Sequence, residues 1–248
     1  MFKIVFFSVT ILFSIHSIGQ QNREDSANIS LYRPGAMWFY TGLRPAKLEK
    51  DRKYDRLIFD VTYSTFSGDL KTFKNKWNSI GLNTSLMREF PINRGNTISF
   101  GTGITHSLFR VETTGHLFVS DSSNTYTTHF EIQTFTPETR FLIGNSFSIP
   151  MEFRFRTKSW KHIKFHAGGR IGYQTNIYSK LISEVKNGKY VSKDHSFADI
   201  NNWVYSAHVR FGIRNWAIYG SYNLNTLFSN KTSTQLNLLQ FGISISMF

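Results

Sequence analysis

The sequence contains no cysteine. That absence excludes disulfides, thiolate metal sites and a lipid-modified N-terminal cysteine. No segment beyond the N-terminus approaches the roughly 18 continuous apolar residues that a membrane helix needs, so any crossing of a membrane falls to strands. No Pro- or Ser-rich linker divides the chain, and its 248 residues fit one domain. Acid is in short supply, with 16 Asp and Glu against 29 Lys and Arg and a formal charge of +13.

Met1 to Gly19 carries one charge, Lys3, followed by the run Ile4 to Phe13, apolar except for Ser8 and Thr10. This is the pattern of a secretory signal peptide. Ser17 and Gly19 supply the small residues of a cleavage site, so the mature chain is expected to begin at Gln20 or Gln21. Loss of Lys3 lowers the formal charge by only one. Export argues against a nucleic-acid partner, the usual reading of a basic chain. Anionic lipid headgroups fit better, since they attract a nearby Lys or Arg by roughly 1 kcal/mol each. Residues 20–53 lack a strong period and are expected to form a periplasmic lead-in to a domain spanning 54–248. The mixed-charge run Lys47 to Arg56 is either a solvated stretch or packs beneath that domain.

The last fifty residues set the pattern. Trp203, Tyr205, Ala207, Val209, Phe211 and Ile213 alternate with Ser206, His208, Arg210 and Gly212, which is period two. After Arg214-Asn215 the rhythm resumes from Trp216 to Leu224, and again with Leu239, Phe241, Ile243, Ile245 and Met247 against Gln240, Gly242, Ser244 and Ser246. Phe248 falls in the inward parity. About ten such residues at ~3.3 Å each, tilted, cross a bilayer core. A dry sandwich core would have to desolvate Arg210 and His208, whereas a closed barrel with lipid outside and a polar lumen accepts both faces.

Five further strands follow the same rule: Leu57 to Phe66, Asn78 to Phe90, Ile98 to Leu108, Phe147 to Arg156, and Lys164 to Gln174. In the fourth of these, Phe147, Ile149, Met151, Phe153 and Phe155 oppose Ser148, Pro150, Glu152, Arg154 and Arg156, and Pro150 limits pairing there. Val111 to Ser146 is expected to be long and irregular, with Leu117 to Val119 and Thr128 to Phe135 extending strands or adding a hairpin. Leu181 to Asp199 is expected to be a polar loop. Connections after even-numbered strands are short and those after odd-numbered strands mostly long, which is how outer-membrane barrels are built. The expected fold is therefore an all-β, closed, antiparallel up-and-down transmembrane barrel of eight strands, with ten as the alternative.

Several stretches carry a family resemblance: Asp55-Arg56-Leu57-Ile58-Phe59-Asp60, Met87-Arg88-Glu89-Phe90-Pro91, Phe100-Gly101-Thr102-Gly103-Ile104, Ser148 to Arg156, and the ending Phe241 to Phe248. With the leader, they resemble the small outer-membrane β-barrel proteins of the Bacteroidetes related to the PorT-like family. The resemblance covers most of the chain from Tyr54 onward. It implies the fold and an outer-membrane location, and it raises an accessory role in protein secretion or gliding.

Catalytic and cofactor signals are weak. Gly101-Thr102-Gly103 lacks the third glycine and the helix of a dinucleotide fingerprint. His162 and His166 would lie ~13 Å apart on a strand, too far to share a metal, so no metal or cofactor is expected. Ser206 and His208 share a face with Glu152 or Asp60, but that face is a lumen an acyl chain does not readily enter, so a lipid-modifying enzyme is the minor alternative. The expected site is instead a lumen network of Asp60, Glu152, Arg154, Arg156, Arg170, His208 and Arg210 that neutralises itself and plugs the barrel. A small anion pore would need ten or more strands. The expected role is non-enzymatic, structural or interaction-based. Expected partners are outer-membrane lipid and lipopolysaccharide, the barrel-assembly machinery during biogenesis, and proteins met through the outer loops, with no nucleic acid. Lys180, Lys186, Lys189, Lys193 and Lys231 are either solvated or set to meet lipopolysaccharide phosphates.

Overall fold

Alternating side chains give each run two chemically distinct faces, and a strand that pairs on both edges can satisfy its backbone while keeping those faces apart. The computed structural model describes residues 56–68, 76–93, 97–113, 116–122, 125–131, 139–157, 163–185, 188–195, 197 and 199–247. The expected leader (1–19), the lead-in (20–53) and Phe248 lie outside the described residues. The strands are β1 (Leu57–Gly68), β2 (Ile80–Pro91), β3 (Ile98–Thr113), β4 (His116–Ser122), β5 (Thr125–Glu131), β6 (Thr139–Arg156), β7 (Ile163–Val185), β8 (Gly188–Asp194), β9 (Trp203–Ile213), β10 (Trp216–Asn223) and β11 (Leu236–Met247).

Eight of them close a ring in the order β1-β2-β3-β6-β7-β9-β10-β11, each antiparallel to its neighbours. Closure is made by β11 on β1, in register from Leu57↔Met247 to Gly68↔Leu236. The ring leaves none of these eight strands with an open edge along its paired length. The remaining three are additions at the long-loop end: β8 pairs with the far half of β7, and β4 pairs with β5 as a separate hairpin.

In the half of the barrel nearer the short turns, the sidedness is apolar outside and polar inside. On β6, Phe147 and Ile149 are 52% and 57% exposed, while Glu152 and Arg154 are both at 0%. The ladder between β3 and β6 breaks at Pro150. It runs to Thr102↔Met151 and resumes at Thr105↔Ser148, because proline has no N–H to give. The β9–β10 turn is closed by Arg214 at φ 56°, a left-handed conformation that two-residue hairpins require.

Two expectations about loops are corrected. Val111 to Ser146 is not irregular throughout: β3 runs on to Thr113, β6 begins at Thr139, and the β4–β5 hairpin lies between them. Leu181 to Asp199 is not simply a polar loop, since β7 continues to Val185 and β8 pairs back on it. Two physical causes hid these strands. The register between β6 and β7 shifts between Asn145 and Ser146, leaving Thr175 as an extra residue, so the inward parity of β7 changes from Gln174 to Ile177 and Ser179. The faces also exchange chemistry. Phe109 and Val111 follow Ser107 on the inward side of β3, and Leu236 and Leu238 precede Gln240 on β11, all four of them buried. Together with Phe66, Leu142, Ile177, Phe197, Leu227 and Phe228 they form one apolar cluster at the long-loop end.

Candidate functional site

β1, β6, β7 and β9 each carry charged residues at inward positions of the same half of the barrel, and the closed ring forces those side chains to meet. Arg210 on β9 is the hub. Its guanidinium grips Asp60 on β1 (Nη2–Oδ2 2.9 Å, Nε–Oδ1 3.2 Å) and donates through Nη1 to Glu152 Oε2 at 2.6 Å. Glu152 on β6 also receives Arg154 Nε at 2.7 Å, and His208 Nε2 lies 2.9 Å from its Oε2. Arg170 on β7 stands 3.7 Å from Asp60 Oδ2 and donates to the Tyr219 hydroxyl at 2.6 Å. Six of the seven expected lumen residues therefore share one buried network.

Arg156 joins through a residue the expectation omitted. Glu89, near the end of β2, takes both Arg156 nitrogens (2.6 and 2.7 Å) and Arg154 Nη1 at 3.1 Å. It also accepts from the Ser99 hydroxyl. The parity that puts Asn83 and Ser85 inside puts Glu89 inside too. His166, with Nδ1 3.8 Å from Glu152 Oε1, and Lys164, whose Nζ donates to Ser246 Oγ at 2.7 Å, were readable as inward in the same way. Tyr219 is a different omission. Its ring is buried, and the guanidinium carbons of Arg170 and Arg210 lie 5.3 and 5.0 Å from its centroid. The sequence signal was an aromatic on an otherwise small and polar face.

The contacts of Arg210 with Asp60 and Glu152, of Arg170 with Asp60 and Tyr219, of Glu89 with Arg154 and Arg156, and of Lys164 with Ser246 join strands that are not neighbours in the ring, so they cross the lumen rather than line it. Eight strands enclose an interior about wide enough for side chains alone. Gly101 on β3 makes room: a Cβ there would stand 2.8 Å from Arg154 Nε, so the glycine at this position admits the guanidinium. Breaking one member of such a set leaves a buried charge without its partner, at about 3–5 kcal/mol. Among the described residues no group of three or more His, Cys, Asp or Glu is placed to hold a metal ion.

At the long-loop end the apolar cluster takes over the interior, and a further buried carboxylate, outside the lumen network, fastens the connections above it. Asp199 accepts the Thr128 and Ser233 hydroxyls, each at 2.5 Å, on its two oxygens. Its backbone carbonyl takes Ser229 N at 2.8 Å, and Thr234 N donates to Thr128 O at 2.9 Å. Three separate stretches, β5, the β8–β9 connection and the β10–β11 connection, are thereby stitched together over Phe197 and Phe228, whose rings lie 6.2 Å apart.

No protein-family model matches the sequence, and no curated protein does. Among solved structures the chain is similar to Ail, the attachment invasion locus protein of Yersinia pestis, determined in complex with the heparin analogue sucrose octasulfate. The identity is 12%, the match covers 77% of this chain and 96% of that one, and the TM-score is 0.33.

Proposed function

We propose that this chain is an integral outer-membrane β-barrel with a non-enzymatic, structural or interaction role, its interior closed by side chains and its long connections facing outward. The observation that carries the reading is the sidedness of the belt. Ile149, Phe153, Val209, Phe211, Ile218 and Ile243 stand exposed around the ring while Asp60, Glu152, Arg154 and Arg210 are buried in its centre. Water outside such a belt would leave an apolar surface far larger than a soluble monomer carries, and hydrocarbon outside it removes that cost. Tyr173 and Trp203, 5.9 Å apart, mark the belt's long-loop border, where aromatic residues collect at a membrane interface.

Insertion by the barrel-assembly machinery and contact with lipopolysaccharide follow from that placement, and the leader supplies export. A closed interior supports a protein that conducts poorly and acts through its surface. His208 and Ser206 face inward beside Glu152 with almost no exposure, an arrangement that suits packing better than turnover of a lipid.

The test is heat-modifiable migration in outer-membrane fractions. The folded barrel is expected to migrate differently before and after boiling, and identical migration, or recovery in the soluble fraction, would overturn the proposal. In planar bilayers the purified protein is expected to show no stable conductance.

A further inference from the structure

β3, β6 and β7 run well past the belt on one side of the barrel, with 16, 18 and 23 residues against 8 to 12 in the other five ring strands. With β8 they raise a four-stranded wall. Its inner face holds the apolar cluster. Its outer face carries cations set among aromatic rings.

Two adjacent rows make up that outer face. In one, Arg110, Ile143 and Tyr178 are register partners across β3, β6 and β7. In the next, Glu112, Phe141, Lys180 and Lys193 are register partners across β3, β6, β7 and β8, and Glu112 is held by Lys76 Nζ at 3.0 Å. Arg110 lies over the Phe141 ring at 4.9 Å and is anchored by Nη2 donating to Asn78 Oδ1 at 2.9 Å. Its Nε is buried and has no acceptor among the described residues. Lys193 Nζ sits 5.8 Å from the Tyr178 ring centroid. Lys180 and Lys193 are directly opposed, an arrangement that costs stability when two like charges have nothing between them. Among the described residues neither has a carboxylate within ion-pair distance, whereas Lys76 nearby is matched to Glu112 at 3.0 Å.

We propose that Arg110, Lys180 and Lys193 form a binding site for the phosphate groups on the sugar head of lipopolysaccharide in the outer leaflet, which rests on the outer-membrane reading above. Placement selects this occupant. The wall's outer face continues the lipid-facing side of β6 and β7, so it looks sideways into the headgroup layer. Lys180 lies seven residues beyond Tyr173 on β7, which is roughly 20 Å along the strand and about 15 Å above the belt at the usual tilt. That is the level of phosphorylated sugars, above the acyl chains. The three cations span roughly 15 Å across the wall at ~4.8 Å per strand, enough for more than one phosphate. An anion between Lys180 and Lys193 removes their repulsion, and the Tyr178 ring holds one of the pair in place.

The experiment compares full-length protein folded in detergent with the double variant Lys180→Gln/Lys193→Gln and with Arg88→Gln, a control at an exposed cation near the short-turn end of β2. The probes are a rough lipopolysaccharide with a phosphorylated inner core and the same lipopolysaccharide after enzymatic dephosphorylation. The double variant is expected to bind the phosphorylated form roughly ten- to thirty-fold more weakly, with Arg88→Gln unchanged and dephosphorylation mimicking the double variant. Equal binding by wild type and double variant, or equal binding of both lipids, overturns the site. Heat-modifiable migration of all three proteins is read in parallel. If it is retained while binding is unaltered, the site falls and the barrel stands; if wild type lacks it, the membrane reading falls and takes the site with it.

Discussion

The two halves of this barrel solve opposite problems with one alternating pattern. In the half toward the short turns, Phe147, Ile149, Met151, Phe153 and Phe155 point out of β6 while Glu152 and Arg154 point in. Toward the long loops the inside is Phe109, Val111, Leu142, Ile177 and Leu236, and the outside of the wall carries Arg110 on β3, Lys180 on β7 and Lys193 on β8. The backbone geometry scarcely changes between them. On the membrane placement proposed above only the surroundings do, hydrocarbon around one half and aqueous headgroups around the other, so the residues that need water exchange faces with those that avoid it. Strand pairing thus fixes the period, and the medium fixes which face is greasy.

The sharpest way to break this comparison is to delete the carboxylate that joins most of the lower network. Glu152→Ala takes one of two carboxylate partners from both Arg154 and Arg210, which keep Glu89 and Asp60, and leaves excess positive charge in the lumen; it is expected to destabilise the barrel by about 3–5 kcal/mol, read from urea unfolding in lipid vesicles. Phe228→Ala in the upper core is expected to lose about 3 kcal/mol by leaving a cavity. Unlike the Glu152 change, it should spare the belt and loosen only the long-loop end, which faster hydrogen exchange at Leu236–Leu238 than at Ile243–Ile245 within β11 would show.

A third test moves the same charge between the two regions. Phe153→Arg in the belt is expected to cost about 2–4 kcal/mol in a bilayer. Val191→Arg on the outer wall should fall within ~0.5 kcal/mol of wild type. Equal effects would mean that the two exteriors meet the same solvent. Smaller still in global stability is Asp199→Asn, expected to cost about 1–3 kcal/mol locally by disrupting the Thr128 and Ser233 bonds. Its signature is faster proteolysis within residues 125–131, with the belt unaffected.

Much of the lower half was legible. Alternation alone located eight ring strands, and parity alone placed Asp60, Glu152, Arg154, Arg170, His208 and Arg210 on the inward face. The same parity put Lys164 and His166 inward, although not as members of the charged network, and Glu89 obeyed it within a run that reads as the close of a strand. The upper half was hidden for a different reason. Under the rule of a polar interior, the inward apolar residues Phe109, Val111, Leu142 and Leu236 read as a loss of pattern, and the extra residue at Thr175 shifts the parity of β7. Asp199 was beyond reach, since its partners Thr128 and Ser233 lie 71 and 34 residues away in sequence.

Because the chain has no native cysteine, single spin labels can be placed without background, and their accessibility in bilayers tests the exchange of faces directly. Labels at Ile149, Val209 and Ile243 are predicted to collide with oxygen and be shielded from a polar nickel reagent, while labels at Tyr190, Val191 and Lys193 show the reverse. Belt positions open to the nickel reagent, or wall positions buried in hydrocarbon, would contradict the account.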